Sequence, residues 1–181
     1  MGCGKSSVGR ELSQLLCCPF MDLDQVIEER KGRSIPEIFS RDGEPEFRRI
    51  ELEALKHIVG ERPSLVLALG GGAVMTAECA EIVHSDTICI YLRASVNTLM
   101  EHLSGKTDNR PLLSQKHSVN EISTRHCEES EGRRGNLELE TRIKDLMTLR
   151  SDTYEKTAHI IIDTDGKSIE AVASEIISKL S

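Results

Sequence analysis

Short apolar segments that alternate with helical patterns are the feature that most limits how this chain can fold. The segments SLVLAL, TICIYL and AHIII are almost continuously apolar, and CCPFM is a shorter example. Between them, apolar residues recur at helical spacing, as in SVNTLMEHL and SIEAVASEIISKL. Strands that are apolar on both faces and separated by helices are typical of a parallel sheet covered by helices on each side. The sequence therefore predicts an α/β fold.

The composition limits the possible partners. The chain has 181 residues and a net charge of −7, and this charge argues against general nucleic-acid binding. No apolar run reaches the ~20 residues that a membrane-spanning helix needs. We therefore expect a cytoplasmic monomer whose partners include neither nucleic acid nor membrane.

The first residues, MGCGKSS, match the second half of a phosphate-binding loop. The full pattern is G-x-x-x-x-G-K-[ST], and Gly4, Lys5 and Ser6 fit its last three positions. In such a loop the backbone N–H groups surround the phosphates, the lysine reaches the transferred group and the hydroxyl binds Mg²⁺. A helical pattern follows, which places the positive end of a helix dipole behind the phosphates. The sequence therefore predicts a nucleotide site at the start of the chain.

The first predicted strand, CCPFMDLD, ends in two acids. Because side chains alternate along a strand, we expect Asp22 and Asp24 to point the same way. A phosphotransferase with a phosphate loop needs one acid near the metal and, for an alcohol acceptor, another near the hydroxyl. A solvent-exposed strand end or a helix cap is the alternative explanation of these acids.

The motifs EFRRIE and GGG predict the acceptor end of a site. Arg48 and Glu51 are three residues apart in a predicted helix, so the carboxylate can hold the guanidinium ready for a substrate carboxylate. An ordinary surface ion pair is the alternative.

Gly70, Gly71 and Gly72 follow a buried strand, at the edge where open α/β sheets bind ligands. Three glycines indicate close approach of the backbone to another group, although a tight turn would also use them.

A long polar region interrupts the alternation of strands and helices. From about residue 114 to 136 the chain is charged and weakly periodic, which is typical of a mobile lid or a disordered insertion. Arg110 lies before it, in NRPLL, where a lid arginine can neutralise phosphate charge. Arg150 lies on the helix that follows. We expect one domain over residues 1–181, with the lid and insertion at about 105–145.

The order of these motifs resembles that of the shikimate kinases, small P-loop kinases related to the nucleoside monophosphate kinases. The motifs GCGKSS, DLD, FRRIE, GGG, RPLL and the helix from Arg150 to Tyr154 follow one another in that order. The resemblance covers most of the chain, apart from the polar region after RPLL. It implies transfer of the γ-phosphoryl group of ATP, with Mg²⁺, to the 3-hydroxyl of shikimate in aromatic amino-acid biosynthesis.

The resemblance also implies a role for each motif. Asp24 would accept the proton of the acceptor hydroxyl, and Lys5 and Arg110 would be the other catalytic residues. Ser6 would bind the metal directly and Asp22 through water. ATP would be bound by Gly2, Cys3, Gly4, Lys5, Ser6, Ser7 and Arg110. Shikimate would be bound by Asp24, Arg48, Gly70, Gly71, Gly72 and Arg150.

The resemblance implies a three-layer α/β/α fold with a parallel sheet of strand order 2-3-1-4-5, in which strand 1 precedes the phosphate loop. The strands found in this sequence correspond to strands 2, 3, 4 and 5. We expect the missing central strand to leave a slot with unpaired backbone groups and apolar helix faces. We therefore expect Met1 to be an internal methionine of the natural protein, and the chain as given to be poorly stable and weakly active.

Two other functions are open from the residues. A related small-molecule kinase, such as a gluconate kinase, shares the phosphate loop but has no special use for Arg48 and Arg150 as a carboxylate-binding pair. An inactive nucleotide-binding paralogue would bind ATP without turnover. Four residues argue against the paralogue, because a protein that only binds nucleotide has no chemical need for them all: Lys5, Asp24, Arg48 and Arg110.

Overall fold

Helices and short strands alternate along the chain, as the sequence predicts. The structure, a computed structural model, describes the backbone of residues 2–61, 64–103 and 128–180 and their side chains apart from those of 128–136. The strands are β1 (Phe20–Asp22), β2 (Val66–Ala68), β3 (Ile90–Arg93) and β4 (Ile160–Asp163). The helices are α1 (Lys5–Leu15), α2 (Leu23–Lys31), α3 (Ile35–Glu61), α4 (Ala77–Asp86), α5 (Val96–Leu103), α6 (Glu128–Thr157) and α7 (Ile169–Leu180), with a 3₁₀ turn at Ala73–Met75. None of the helices in these ranges is both long and apolar enough to span a bilayer.

The described strands form two separate parallel pairs. β1 pairs with β2, with Phe20 opposite Val66 and Asp22 opposite Ala68. β3 pairs with β4, with Ile90 opposite Ile160. Among the described residues, no hydrogen-bonded strand joins β2 to β3. A groove of about 830 Å³ lies between these two strands, and its walls include apolar side chains of both strands and of α1.

The start of α3 shows how local sequence determines a helix end. The backbone N–H of Ser34 donates to Oε2 of Glu37 at 2.8 Å, and the N–H of Glu37 donates back to Oγ of Ser34 at 3.4 Å. This is the reciprocal bonding of a capping box, which the serine and glutamate spacing predicts. The helix is broken at Gly43, where φ is 82° and ψ is 168°. The backbone therefore changes direction before the half of α3 that carries Arg48.

Apolar side chains pack the helices around both strand pairs. One cluster joins α2, α3 and α4 and includes Leu23 and Leu55, both fully buried. A second cluster joins α1 and α7 to β3 and β4 around Ile162. A third joins α5 to α6 through Leu103 and Ile143. The helices thereby fix the carboxyl ends of the strands, where the predicted site residues lie.

The start of α6 is a helical segment that the sequence pattern does not indicate. α6 begins at Glu128, inside the segment 114–136 that the sequence pattern treats as an insertion or mobile lid. Once the packed turns around Ile143 have formed a helix, each further residue adds a hydrogen bond at little cost, so a polar sequence can extend it. Residues 104–127, which include the predicted lid residue Arg110, lie outside the described residues.

Two helical glycines give a matched test of the packing between α1 and β1. A Cβ at Gly9 would lie 2.5 Å from Cε2 of Phe20, whereas a Cβ at Gly60 would have no neighbour within 4 Å among the described residues. We expect Gly60→Ala to stabilise the protein by up to ~1 kcal/mol, because alanine favours a helix. Gly9→Ala also forces the Phe20 ring to move, so we expect it to be about 1–3 kcal/mol less stable than Gly60→Ala in urea unfolding. Equal unfolding free energies of the two variants would contradict this packing.

Candidate active site

The phosphate loop, Gly2–Ser7, enters α1 through two glycines with left-handed backbone. Gly2 has a φ of 71° and Gly4 a φ of 80°, a conformation that residues with a Cβ rarely adopt. Gly4 is the N-cap of α1, and as a glycine it has no side chain that could cap the N–H groups of the first turn. The N–H groups of that turn are therefore available to phosphate oxygens, and Lys5 stands at the same end of the helix.

Ser6 and Asp22 place two oxygen ligands beside the phosphate loop. Oγ of Ser6 donates to Oδ2 of Asp22 at 2.7 Å. Hydroxyl and carboxylate oxygens are the ligands that Mg²⁺ prefers, and this ion uses few protein ligands because it keeps several waters. Within the described ranges, no three His, Cys, Asp or Glu side chains form a metal cage by themselves.

Asp22 and Asp24 are brought together by the start of a helix. β1 ends at Asp22, and Asp24 lies in the first turn of α2. Oδ1 of Asp22 accepts a hydrogen bond from the N–H of Asp24 at 3.2 Å, so Asp22 is the N-cap of α2. The prediction that alternation along the strand orients both acids is therefore wrong, and the helix-cap alternative holds for Asp22.

Asp24 lies between charges of both signs. Burial raises the pKa of its carboxyl, and the negative charge of Asp22 raises it further. The positive charges of Lys5, from the phosphate loop, and Arg48, from α3, oppose this rise. A carboxylate with a raised pKa is a better proton acceptor, and its position next to a phosphate loop suits transfer of a hydroxyl proton.

Arg48 is held by two glutamates of its own helix. Its Nη1 donates to Oε2 of Glu51 at 2.7 Å, and its Nη2 donates to Oε1 of Glu44 at 3.0 Å. The Glu51 side chain is 1% exposed, so this is a buried pair rather than the surface ion pair that was the alternative. Burial raises the pKa of Glu51, and Arg48 opposes that rise. Burial lowers the pKa of Arg48, but the two glutamates outweigh it and raise the pKa.

Arg150 is buried and incompletely paired. It is 8% exposed, and its Nη1 donates to the carbonyl oxygen of Gly71 at 3.2 Å. Its Nε is buried and has no hydrogen-bond partner among the described residues. A buried donor without a partner costs ~1–3 kcal/mol. The guanidinium is therefore available to an acceptor group that the described chain does not supply.

The glycine loop, Gly70–Gly72, is in close contact with all three predicted acceptor residues. A Cβ at Gly70 would lie 2.9 Å from Oδ1 of Asp24, and a Cβ at Gly72 would overlap the guanidinium of Arg48. Gly71 offers its carbonyl oxygen to the side chains of α6. A residue with a Cβ would force Asp24 or Arg48 to move, so Gly70 and Gly72 have a steric reason at their positions.

A cavity of about 130 Å³ connects the glycine loop with the phosphate loop. Its lining includes Cys3 and Lys5 from one side and Gly70, Gly71 and Arg150 from the other. The ammonium of Lys5 and the guanidinium of Arg150 therefore face one space.

Some site residues are not identified by the sequence analysis. Tyr154 donates to the carbonyl oxygen of Gly71, and its signal in the sequence is its position four residues after Arg150, on the same helix face. Glu44 is likewise four residues before Arg48. Of the predicted residues, Ser7 is exposed on α1, and Arg110 lies outside the described residues.

Comparisons with known proteins add independent findings. A family model described as shikimate kinase matches residues 1–181. The shikimate kinase of Thermus thermophilus is 39% identical over 180 residues, which are 99% of this chain and 85% of that protein. The shikimate kinase of Dictyoglomus turgidum is 35% identical over 182 residues, with 99% of this chain and 92% of that protein covered.

Two solved structures are similar to this one. Shikimate kinase from Acinetobacter baumannii in complex with shikimate gives a TM-score of 0.83 at 31% identity, over 99% of this chain and 88% of that one. Shikimate kinase from Aquifex aeolicus gives a TM-score of 0.73 at 29% identity, over 99% of this chain and 90% of that one. The similarity therefore extends over the three-dimensional fold as well as the sequence.

Replacing Arg48 tests the charge balance around Glu51. Arg48→Met leaves a buried carboxylate without its cation, which we expect to cost roughly 3 kcal/mol of stability at pH 7. The folded-state pKa of Glu51 then rises further above its unfolded value of ~4.3. The folded protein binds more protons than the unfolded chain in this window, so the loss of stability grows as the pH rises from about 4 to 7. Urea unfolding of the variant and the wild type over this range measures the difference.

Arg49→Met is the matched control. Arg49 pairs with Glu46 and Glu53 on the solvent side of the same helix, and we expect a much smaller loss because exposed pairs contribute little. Asp24, which also faces Arg48, changes in the same direction as Glu51. A loss for Arg48→Met that stays constant or shrinks between pH 4 and pH 7 would contradict the described electrostatics.

Proposed function

This chain belongs to the shikimate kinase family, and from that premise we propose how its own residues transfer the γ-phosphoryl group of ATP to the 3-hydroxyl of shikimate. The observation that carries the proposal is the convergence of Asp24, Arg48 and Arg150 on the glycine loop, beside Lys5 of the phosphate loop. Phosphoryl transfer needs little covalent help from the protein, so positioning and charge neutralisation supply most of the acceleration.

The two arginines would bind the carboxylate of shikimate. Arg48 is fixed by Glu51 and Glu44, which orients its guanidinium before the substrate arrives. Arg150 has a buried Nε without a partner among the described residues, and a carboxylate oxygen would supply one. Guanidinium groups bind carboxylates through paired N–H donors, which fixes the orientation of the acceptor as well as its position.

Asp24 would accept the proton of the acceptor hydroxyl. As the hydroxyl oxygen attacks the γ-phosphorus, its proton passes to the carboxylate, and the bond from phosphorus to the leaving ADP oxygen breaks. The raised pKa of Asp24 supports this role. Two contacts limit where Asp24 can lie. Its carboxylate meets Gly70, and its backbone N–H donates to Asp22.

The phosphates of ATP would bind to the phosphate loop, through the N–H groups at the start of α1 and the ammonium of Lys5. Ser6 would hold Mg²⁺ directly and Asp22 through water, and their oxygens suit this ion. When bound, the ion neutralises charge on the phosphates. Arg110, which lies outside the described residues, would neutralise negative charge on the phosphates of ATP.

The similarity to shikimate kinases favours shikimate over the gluconate of the alternative reading. Gluconate also carries a carboxylate, so, contrary to the argument from sequence, the pair of Arg48 and Arg150 does not separate the two acceptors, and turnover has to be measured. The second alternative, an inactive nucleotide-binding paralogue, predicts ATP binding without ADP release. Turnover with defined acceptors therefore separates all three.

We also propose that the two strand pairs are halves of one parallel sheet of order 2-3-1-4-5. In this numbering β1, β2, β3 and β4 are strands 2, 3, 4 and 5, and the place of strand 1 is the groove between β2 and β3. The groove is lined by apolar side chains of both strands, including Val66 and Ile90. The facing strand edges have no partner within the described chain, and such edges readily pair with another strand.

A strand placed in this groove should stabilise the fold. We expect an apolar segment of about six residues, fused directly before Gly2, to raise the melting temperature by several degrees. The reason is that it would pair with β2 and β3 and cover the apolar walls of the groove. A Gly/Ser segment of the same length is the control, and calorimetry measures both fusions. Equal melting temperatures would contradict the proposed strand order.

A coupled assay of ADP release tests the function. We expect ADP release that depends on shikimate and is absent with gluconate or without an acceptor. Asp24→Asn should lower kcat by about 10²–10⁴-fold with a nearly unchanged KM for shikimate, because an amide does not accept the proton.

Asp152→Asn is the control for this assay, because Asp152 is an exposed carboxylate on α6, and we expect its kcat to equal that of the wild type. ADP release that is indifferent to shikimate would overturn the proposed function. Normal turnover by Asp24→Asn would overturn only the role of Asp24.

A further inference from the structure

The carbonyl oxygen of Gly71 accepts hydrogen bonds from two side chains of α6. Oη of Tyr154 donates to it, and so does Nη1 of Arg150, at 3.2 Å. A carbonyl oxygen has two lone pairs and can accept both bonds at once. The two donors lie four residues apart, so they stand on the same face of the helix. The middle of the glycine loop is therefore tied to α6 by two donors of different kinds.

The two donors differ in what else they can bind. Arg150 carries a positive charge, has no ion-pair partner among the described residues and keeps a buried Nε unpaired. A carboxylate placed in the cavity would therefore draw its guanidinium away from a neutral carbonyl, since charge-assisted hydrogen bonds are roughly twice as strong. The hydroxyl of Tyr154 brings no positive charge, so its bond to a carboxylate would be charged on one side only, whereas a bond from Arg150 would be charged on both sides. After such a shift, Tyr154 would be the remaining donor to Gly71.

We propose that Tyr154 is a positioning residue for the acceptor, an inference that rests on the proposed function. Its hydroxyl holds the Gly71 carbonyl when Arg150 turns to the substrate carboxylate. The glycine loop then keeps the shape that accommodates Asp24 and Arg48 on either side of Gly71. Without this hydroxyl, binding of the acceptor would leave the carbonyl without a donor, and the lost bond would weaken binding of the acceptor.

The ring of Tyr154 is held independently of the loop. It packs against the ring of Tyr91 on β3, with centroids 5.2 Å apart and an angle of 44° between the planes. Tyr154→Phe therefore removes the hydroxyl and keeps the ring contact. Tyr91→Phe removes a hydroxyl from the partner ring, and within the described residues this hydroxyl makes no hydrogen bond to the glycine loop. The two substitutions are chemically identical and differ in the bond to Gly71.

Steady-state kinetics with shikimate and ATP test the proposal. We expect Tyr154→Phe to raise the KM for shikimate about tenfold, with kcat and the KM for ATP within about twofold of the wild type. Tyr91→Phe should leave the KM for shikimate unchanged. An unchanged KM in Tyr154→Phe, or a loss confined to kcat, would overturn the proposal. A wild type without shikimate turnover would instead defeat the proposed function, and the stability measurement that follows would still be possible.

A stability cycle without any substrate provides the second test. In the free protein, Arg150 still donates to Gly71 when Tyr154 is replaced, so we expect Tyr154→Phe to shift the urea midpoint only slightly. In an Arg150→Met background neither donor remains, and the same substitution should cause a clearly larger shift. A role in packing alone predicts equal shifts in both backgrounds and would overturn the proposal. Failure of Tyr154→Phe to fold would overturn it as well.

Discussion

The acceptor end of the site depends on the absence of side chains at Gly70–Gly72. A Cβ at the first glycine would meet the carboxylate of Asp24, and one at the third would meet the guanidinium of Arg48. These two side chains come from different helices, and neither could approach the loop so closely if it carried side chains. The loop thus sets how near Asp24 and Arg48 come to each other, and their proposed roles in direct transfer depend on this distance.

Strand register brings this loop to the phosphate loop. Asp22 lies opposite Ala68 in the β1–β2 pair, so the residues that follow each strand are neighbours at the same edge. Asp24 therefore meets Gly70, two residues beyond each member of that pair. Ser6, at the start of α1, bonds to the last residue of β1. A slip of one residue in this short pair would turn its side chains to the opposite face and separate the carboxylate of Asp22 from Ser6 and from Asp24.

Sequence reasoning succeeds where a feature depends on residues a few positions apart. The capping box of Ser34 and Glu37 and the buried pair of Arg48 and Glu51 follow from spacing on a helix. It fails where the same residues could continue a strand or begin a helix, and where the contact joins residues far apart in the chain. The strand that was expected to carry both acids ends earlier, because the Asp22 side chain caps α2 and so starts a helix there. The bond from Tyr154 to Gly71 joins residues 83 positions apart, and no local pattern indicates such a contact.

Arg48 and Arg150 differ in how far neighbouring carboxylates neutralise their charge. Arg48 is oriented by two glutamates, but those carboxylates also cancel its charge, so Arg48, Glu44 and Glu51 together carry a net charge of −1. Such a group can give direction to a substrate carboxylate but little net attraction. Arg150 has no carboxylate partner among the described residues and therefore keeps its full charge in a buried place. Because Coulomb interactions are stronger away from water, Arg150 would attract an anionic acceptor more strongly than Arg48, whose proposed role is to orient it. An acidic chain can thereby bind an anion in one local pocket without a basic surface.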